Sequence, residues 1–529
     1  MDVLIVGGGP VGMLLGCELR QRGLSVRIVD AGRDSGPHSR ANVVWPRNLE
    51  LLDRVGVTAR LLERGHRLSG TSFYSSGRRI GTAYMSGLGD TPHPYAVMIS
   101  QNETERVLAE RLAELGTAVE TGVRLVGVDS AGSGASGDRP AARLEHPDGR
   151  VEEVEPSWLV GADGAHSTVR SLLGIGYTGR QPELTFAITD AELTTGLSAD
   201  LSHYCYSPRG AVVLGPMGGG VFRLAVNVAP DAHPERPGPE VFQRVLDERA
   251  GGGSTVERLR WSALFQVRCR LAETFRVGRC FLVGDAAHII SPAGGQGMNT
   301  GMQDAVNLAW RLGGVLGGEL DDTVLDGYDT ERRTVSHRVA RSTAFMTRFG
   351  VVTTPVRTAV RDTAFRVADR TGALQRYMAP RLSQTDIGYE QEEAGGPLAA
   401  VRALGRRTVP VGARLPAVFD GPGDGRDPAR WPVLDRDRYT LVLWHGRGTV
   451  AGDPALRRSR VRALAADRAA VVEPGRTVHP SVARALGGDP VAVVVRPDGH
   501  VHARVAPDDP GRLAGVLDAL PLATVRSGR

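Results

Sequence analysis

The chain has 529 residues, 41% of them apolar, and a formal net charge of +5. That length allows roughly two to four domains around a large core. The modest charge, without a dense basic run, argues against nucleic acid, and no apolar run reaches the length of a membrane span.

Every side-chain cation apart from histidine is an arginine, so a catalytic lysine is excluded. Asp2-Val3-Leu4-Ile5-Val6 reads as a buried strand. It runs into Gly7-Gly8-Gly9-Pro10-Val11-Gly12 and then a helical pattern with Val11, Leu14, Leu15 and Leu19 on one face. A second strand, Ser25 to Val29, delivers Asp30. This is a βαβ unit carrying G-x-G-x-x-G, the arrangement that binds a dinucleotide. Gly7 permits the tight turn, Gly9 lets a pyrophosphate approach the backbone, and Gly12 lets the helix sit close to the sheet. The helix N-terminus offers unpaired N–H groups to phosphates. Asp30 suits ribose hydroxyls and would repel a 2′-phosphate. Gly132 to Gly137 also fits the bare pattern, but Asp138-Arg139-Pro140 follows instead of a helix, so it reads as a loop.

Trp45-Pro46-Arg47-Asn48 opens a helix, and Ser100 or Asn102 caps another running through Leu115. Residues 118–160 read as hairpins ending in a strand that enters Gly161-Ala162-Asp163-Gly164-Ala165-His166-Ser167. Residues 180–275 alternate as strands, with the Pro-rich 230–239 segment as a loop. Cys280 to Val283 is a buried strand running into Gly284-Asp285-Ala286-Ala287-His288, followed by Pro292-Ala293-Gly294-Gly295-Gln296-Gly297-Met298-Asn299 and a helix. More helices are expected within 329–380. From about Leu398 the composition shifts. Tyr439 to Trp444, Val491 to Arg496 and His500 to Val505 read as strands, and about Pro510 to Leu520 as a helix.

Taken alone, Asp163 and Asp285 each read as caps of the following turn. The 294–297 loop before a helix adds backbone donors where an anion would be stabilised. The four cysteines, Cys17, Cys205, Cys269 and Cys280, form neither C-x-x-C nor a zinc spacing, so no metal is expected. The chain starts directly in a strand without an apolar leader, and a cytoplasmic location is expected.

Together the segments 7–12, 161–167 and 284–299 resemble the three fingerprints of single-component FAD-dependent aromatic hydroxylases, of the para-hydroxybenzoate hydroxylase type. Val493-Val494-Val495-Arg496-Pro497-Asp498-Gly499 resembles the thioredoxin-like appendage of the subgroup acting on phenols and polyketides. The resemblance implies an α/β fold: a Rossmann-like FAD-binding domain (1–70, 96–178 and 276–395) interrupted by a β-rich substrate domain (71–95 and 179–275). A C-terminal thioredoxin-like α/β domain without redox cysteines (400–529) follows. It implies cofactor contacts from Gly7, Gly9, Pro10, Val11, Gly12, Asp30, Arg33, Arg40, Gln101, Asp163, Asp285, Pro292, Gly295, Gly297, Met298 and Asn299. Tyr84, Tyr206, Met217, Phe222 and Phe265 are candidates for the substrate walls, and Arg47 for the flavin edge. No catalytic acid or base can be picked out.

The implied reaction is hydroxylation of an aromatic, polycyclic polyketide substrate through a C4a-hydroperoxyflavin, with NADPH or NADH as transient reductant. The alternatives are Baeyer–Villiger-type oxygen insertion and a non-enzymatic flavin-binding regulator. A flavin-dependent halogenase would need a lysine and a G-W-x-W-x-I-P run, and a disulfide reductase a C-x-x-C pair; both are missing. A monomer or homodimer is expected, without nucleic acid or membrane partners.

Overall fold

The computed structural model describes the chain apart from residues 33–40, 130–138, 180–184, 229–235, 268, 351, 353, 390–407, 421–429, 447–461, 466–467, 476, 507–508 and 524–529, and the side chains of 347–350. Its organising layer is a six-stranded sheet. In spatial order the strands are Arg276–Val277, Cys280–Leu282, Trp158–Gly161, Val3–Val6, Val26–Asp30 and Val119–Thr121. All neighbours run parallel except the first pair, which is antiparallel. Val3–Val6 is apolar at every position because both faces of the sheet are covered, as parallel sheets require.

Register decides where the motifs go. Val6 lies opposite both Gly161 and Val29, and Gly161 lies opposite Leu282. The turns at 7–12, 162–167 and 284–288 therefore leave neighbouring strands at one carboxyl edge, where open α/β sheets bind ligands. Helix Pro10–Gln21 follows the first turn, and helix Gly297–Leu316 packs along it. The capping expectation resolves onto Ser100, whose hydroxyl accepts from the Glu103 N–H at the head of helix Gln101–Glu114.

A second sheet has seven strands, in the order Ser254–Gln266, Thr185–Thr195, Val221–Val228, Gly210–Gly218, Leu201–Ser207, Gly70–Ser75 and Arg78–Tyr84. Sequence reading expected strands across 180–275 apart from a loop at 230–239, but Pro239–Arg249 is a helix. It buries Val241, Phe242, Val245 and Leu246, an i, i+1, i+4, i+5 stripe, against one face of this sheet.

The helical stretch expected within 329–380 divides into Asp326–Gly350, Pro355–Arg370 and Ala373–Ser383. A four-stranded mixed sheet then orders Ala470–Val472, Thr440–Trp444, Val491–Val495 and Val501–Val505, with helix Pro510–Asp518 after it. One buried apolar cluster runs from Val3 through Trp310 to Val493 and Leu517, so this C-terminal region shares its core with the first sheet.

Candidate active site

Between the carboxyl edge of the six-stranded sheet and one face of the seven-stranded sheet lies a cavity of about 880 Å³. Two helix N-termini open onto it. The helix Pro10–Gln21 begins at Gly9, and a Cβ added to Gly9 would meet nothing within 4 Å. The same holds for Gly297, at the head of the second helix. The other glycines of the first turn work by contact: Gly7 has φ +116°, and a Cβ there would sit 2.3 Å from the Ala162 carbonyl oxygen. A Cβ on Gly12 would sit 2.1 Å from the Gly7 oxygen.

Of the residues expected at the cofactor, Gly9, Pro10, Val11, Gln101, Asp285, Pro292, Gly295, Gly297 and Met298 line the cavity. Asp285 is exposed on its wall. Asp30 stands behind the glycine turn, its carboxylate accepting from the N–H groups of Gly8 (2.6 Å) and Gly32 (2.7 Å). Arg33 and Arg40 lie outside the described residues.

The side chains of Asp163 and Asn299, both expected near the cofactor, bond to the protein around them. The Asp163 carboxylate accepts from the Ser167 hydroxyl (2.5 Å) and from the N–H groups of Thr168 (2.7 Å) and Val169 (3.1 Å), capping the next helix. Burial raises its pKa, and these hydrogen bonds oppose the rise. Asn299 is fully buried. Its carbonyl accepts from Trp45 N–H (2.9 Å) and Asn48 Nδ2 (3.0 Å), while its Nδ2 donates to the Val43 and Gly295 carbonyls (2.9 and 2.8 Å). It ties the 43–48 segment to the 294–297 loop.

The substrate-side expectations divide by strand face. Tyr206 and Phe265 line the cavity. Phe222 does not: it is buried with Phe242 and Leu246 on the opposite face. Alternation accounts for this, because Arg223 and Ala225 face the cavity and their neighbours Phe222 and Leu224 face the helix. Tyr84 is exposed, and Met217 stands behind Asn42, which itself lines the wall. Arg47 is buried and points away, donating to Glu50 (2.8 Å) and to the Asp498 carbonyl (2.7 Å).

Several wall residues escaped sequence reading. Trp45 Nε1 donates to the Gly294 carbonyl (2.9 Å), and the Gly294 N–H donates to the Tyr204 hydroxyl (3.2 Å). Burial pushes the Tyr204 phenol up to about 12 and raises that of Tyr206 too, so both stay neutral donors at physiological pH. Arg223 is buried on the wall. It pairs with Asp190 (Nη2–Oδ2 3.0 Å), which also accepts from Trp261 Nε1 (2.7 Å), so the charge is balanced. Behind the Gly284 turn, Asp304 is fully buried. It accepts from the Gly284 N–H (3.1 Å) and from Arg332 Nε (2.6 Å), and it contacts His288 Nε2 at 2.6 Å. Alternating pattern could have found Tyr204 beside Tyr206; the Asp190–Arg223 and Asp304–Arg332 pairs join distant segments and carried no local signal.

Residues 1–343 match the family model described as FAD binding domain. The chain is 34% identical to the 6-methylpretetramide 4-monooxygenase of Streptomyces rimosus, covering 98% of this chain and 94% of that protein. It is 31% identical to the 12-dehydrotetracycline 5-monooxygenase/anhydrotetracycline 6-monooxygenase of Streptomyces rimosus subsp. rimosus, covering 98% of each. Among solved structures, the anhydrotetracycline hydroxylase from Streptomyces rimosus superposes with a TM-score of 0.72 at 29% identity, covering 98% of this chain and 99% of that one.

Proposed function

This chain belongs to the FAD-binding-domain family as a single-component FAD-dependent aromatic hydroxylase, and from that premise we propose how its cavity is used. FAD lies along the glycine-turn side, and an aromatic, polycyclic polyketide lies against the seven-stranded sheet. The observation that carries this is the pair of helix N-termini, at Gly9 and Gly297, opening onto one cavity with an aromatic far wall.

The residues fit the cofactor. The open space over Gly9 is room for a pyrophosphate, with the helix dipole behind it. Asp30 holds the adenosine ribose through lone pairs its two backbone donors leave over. Asp285 takes the ribityl hydroxyls, and Pro292, Gly295 and Met298 border the isoalloxazine. Gly297 presents the positive end of a 20-residue helix to the flavin's electron-rich edge. When bound, FAD supplies hydride acceptance from NADPH or NADH and activation of O₂ for transfer to the ring.

The protein's share is placement and exclusion of water. Ile188, Val213 and Leu264 provide an apolar wall, and the neutral Tyr206 phenol offers a hydrogen bond to a substrate oxygen. Hydroxylation is favoured over oxygen insertion because the described far wall is mainly apolar and aromatic, with Ile188, Tyr206, Val213, Leu264 and Phe265, and because Arg47 is engaged with Glu50 and the Asp498 carbonyl. The reading extends to a cytoplasmic monomer or homodimer; no helix among the described residues is long and apolar enough to cross a membrane. The test is turnover of a polycyclic phenol under ¹⁸O₂. One labelled ring hydroxyl is the expected product. A labelled ring oxygen in a lactone, without a new hydroxyl, would overturn the choice.

A further inference from the structure

The turn Arg496-Pro497-Asp498-Gly499 joins two strands of the C-terminal sheet, yet it is buried against the first domain. It grips two helices. On helix Gly297–Leu316, Asn307 Nδ2 donates to Asp498 Oδ2 (3.2 Å), and the Arg496 guanidinium lies over the Trp310 ring at 5.2 Å. Arg496 also forks onto Glu331 (2.6 and 2.9 Å), which accepts from Arg311 of the same helix (2.8 Å). On helix Pro46–Asp53 and the residue after it, Arg47 and Arg54 donate to the carbonyls of Asp498 and Pro497, each at 2.7 Å.

Both helices begin at the cavity. Gly297 lines it, and Trp45, immediately before the other helix, lines it and holds Gly294. Asn307 is ten residues from Gly297, or about 15 Å along the axis. The turn therefore holds the middle of the 297–316 helix and both ends of the 46–53 helix, whose front ends frame the cavity, and a rigid helix transmits a shift along its length.

We infer that the Arg496–Gly499 turn is a positioning lock for the cofactor-facing helix, so that the C-terminal region sets how tightly and in what orientation the flavin is held. Arg496 and Asp498 are positioning residues: they touch neither cofactor nor substrate. The flavin part of this inference rests on the proposed use of the cavity, while the lock on the helix does not.

Full-length protein tests it through two variants. Arg496→Lys keeps the charge and loses the two-pronged contact. Asn307→Leu keeps the volume and loses the bond. Asp90→Asn is the control, since it weakens a contact to Arg414 of the same C-terminal region without touching the 297–316 helix. Hydrogen exchange of the 297–316 amides is measured without FAD, and FAD affinity and the visible flavin spectrum are measured by titration. Both lock variants are expected to raise exchange in that helix and the FAD Kd by about tenfold, with a shifted flavin spectrum, while Asp90→Asn leaves all three unchanged. Unchanged exchange in that helix, or an equal change in the control, overturns the lock. Unchanged FAD affinity and spectrum despite faster exchange overturns its role toward the flavin. Failure of both variants to fold also overturns it, because a positioning role is one the fold survives. If the wild-type chain binds no FAD, the use proposed for the cavity fails, and exchange alone decides the lock.

Discussion

Asp285 and Asp163 follow strands that pair side by side, and sequence alone treats them alike. Their surroundings separate them. Asp163 has Ser167, Thr168 and Val169 within reach and turns its carboxylate into the helix it caps. Asp285 stays exposed on the cavity wall. Asp285→Ala is therefore expected to raise the FAD Kd about tenfold, the loss of one charge-assisted hydrogen bond, with little change in unfolding midpoint. Flavin fluorescence titration checks it, and an unchanged affinity would count against the ribityl assignment. Asn299, also in the fingerprint, ties the 43–48 segment to the loop that frames the cavity.

Among elements, the helix Pro239–Arg249 decides which side of the seven-stranded sheet is core. Without it, Phe222 and Tyr206 look equivalent; with it, Phe222 is packed and Tyr206 is left on the cavity. The contact between helix Asp326–Gly350 and the C-terminal hairpin is sensitive to pH. Burial alone would raise the Glu331 carboxyl, but Arg496 and Arg311 bring it from 4.5 down to about 2. Asp498, Tyr389 and His502 also face it. A carboxyl lowered in the folded state contributes stability that is present above its unfolded value and lost as pH falls through the folded one. That contribution is about 3 kcal/mol at neutral pH, disappearing between about pH 4.5 and 2. Glu331→Gln should be less stable than wild type at about pH 6 and close to it at about pH 2. Urea unfolding at the two pH values measures this, and parallel curves at both would refute the assignment.

For the molecule as a whole, the C-terminal sheet packs into the same buried core as the first sheet and is expected to lack thiol chemistry. All four cysteines precede residue 281, and burial pushes the thiols of Cys17, Cys205 and Cys280 up to about 12. Since exchange needs an accessible thiolate, the full chain is expected to leave insulin disulfides intact in a reduction assay with dithiothreitol turnover as readout; catalysed reduction would contradict this. The α/β class, the dinucleotide turn and each of the three fingerprints were legible in the sequence, because each motif is confined to about thirty consecutive positions or fewer. Local spacing is enough to specify a strand, a glycine turn and a helix start. What only the tertiary structure decided is which face of each strand meets the cavity and where the buried charges pair. Asp190 with Arg223, Asp304 with Arg332 and Glu331 with Arg496 are brought together by strand register and helix packing. A buried charge must find its partner wherever the fold places one, and that place is not written in the residues beside it.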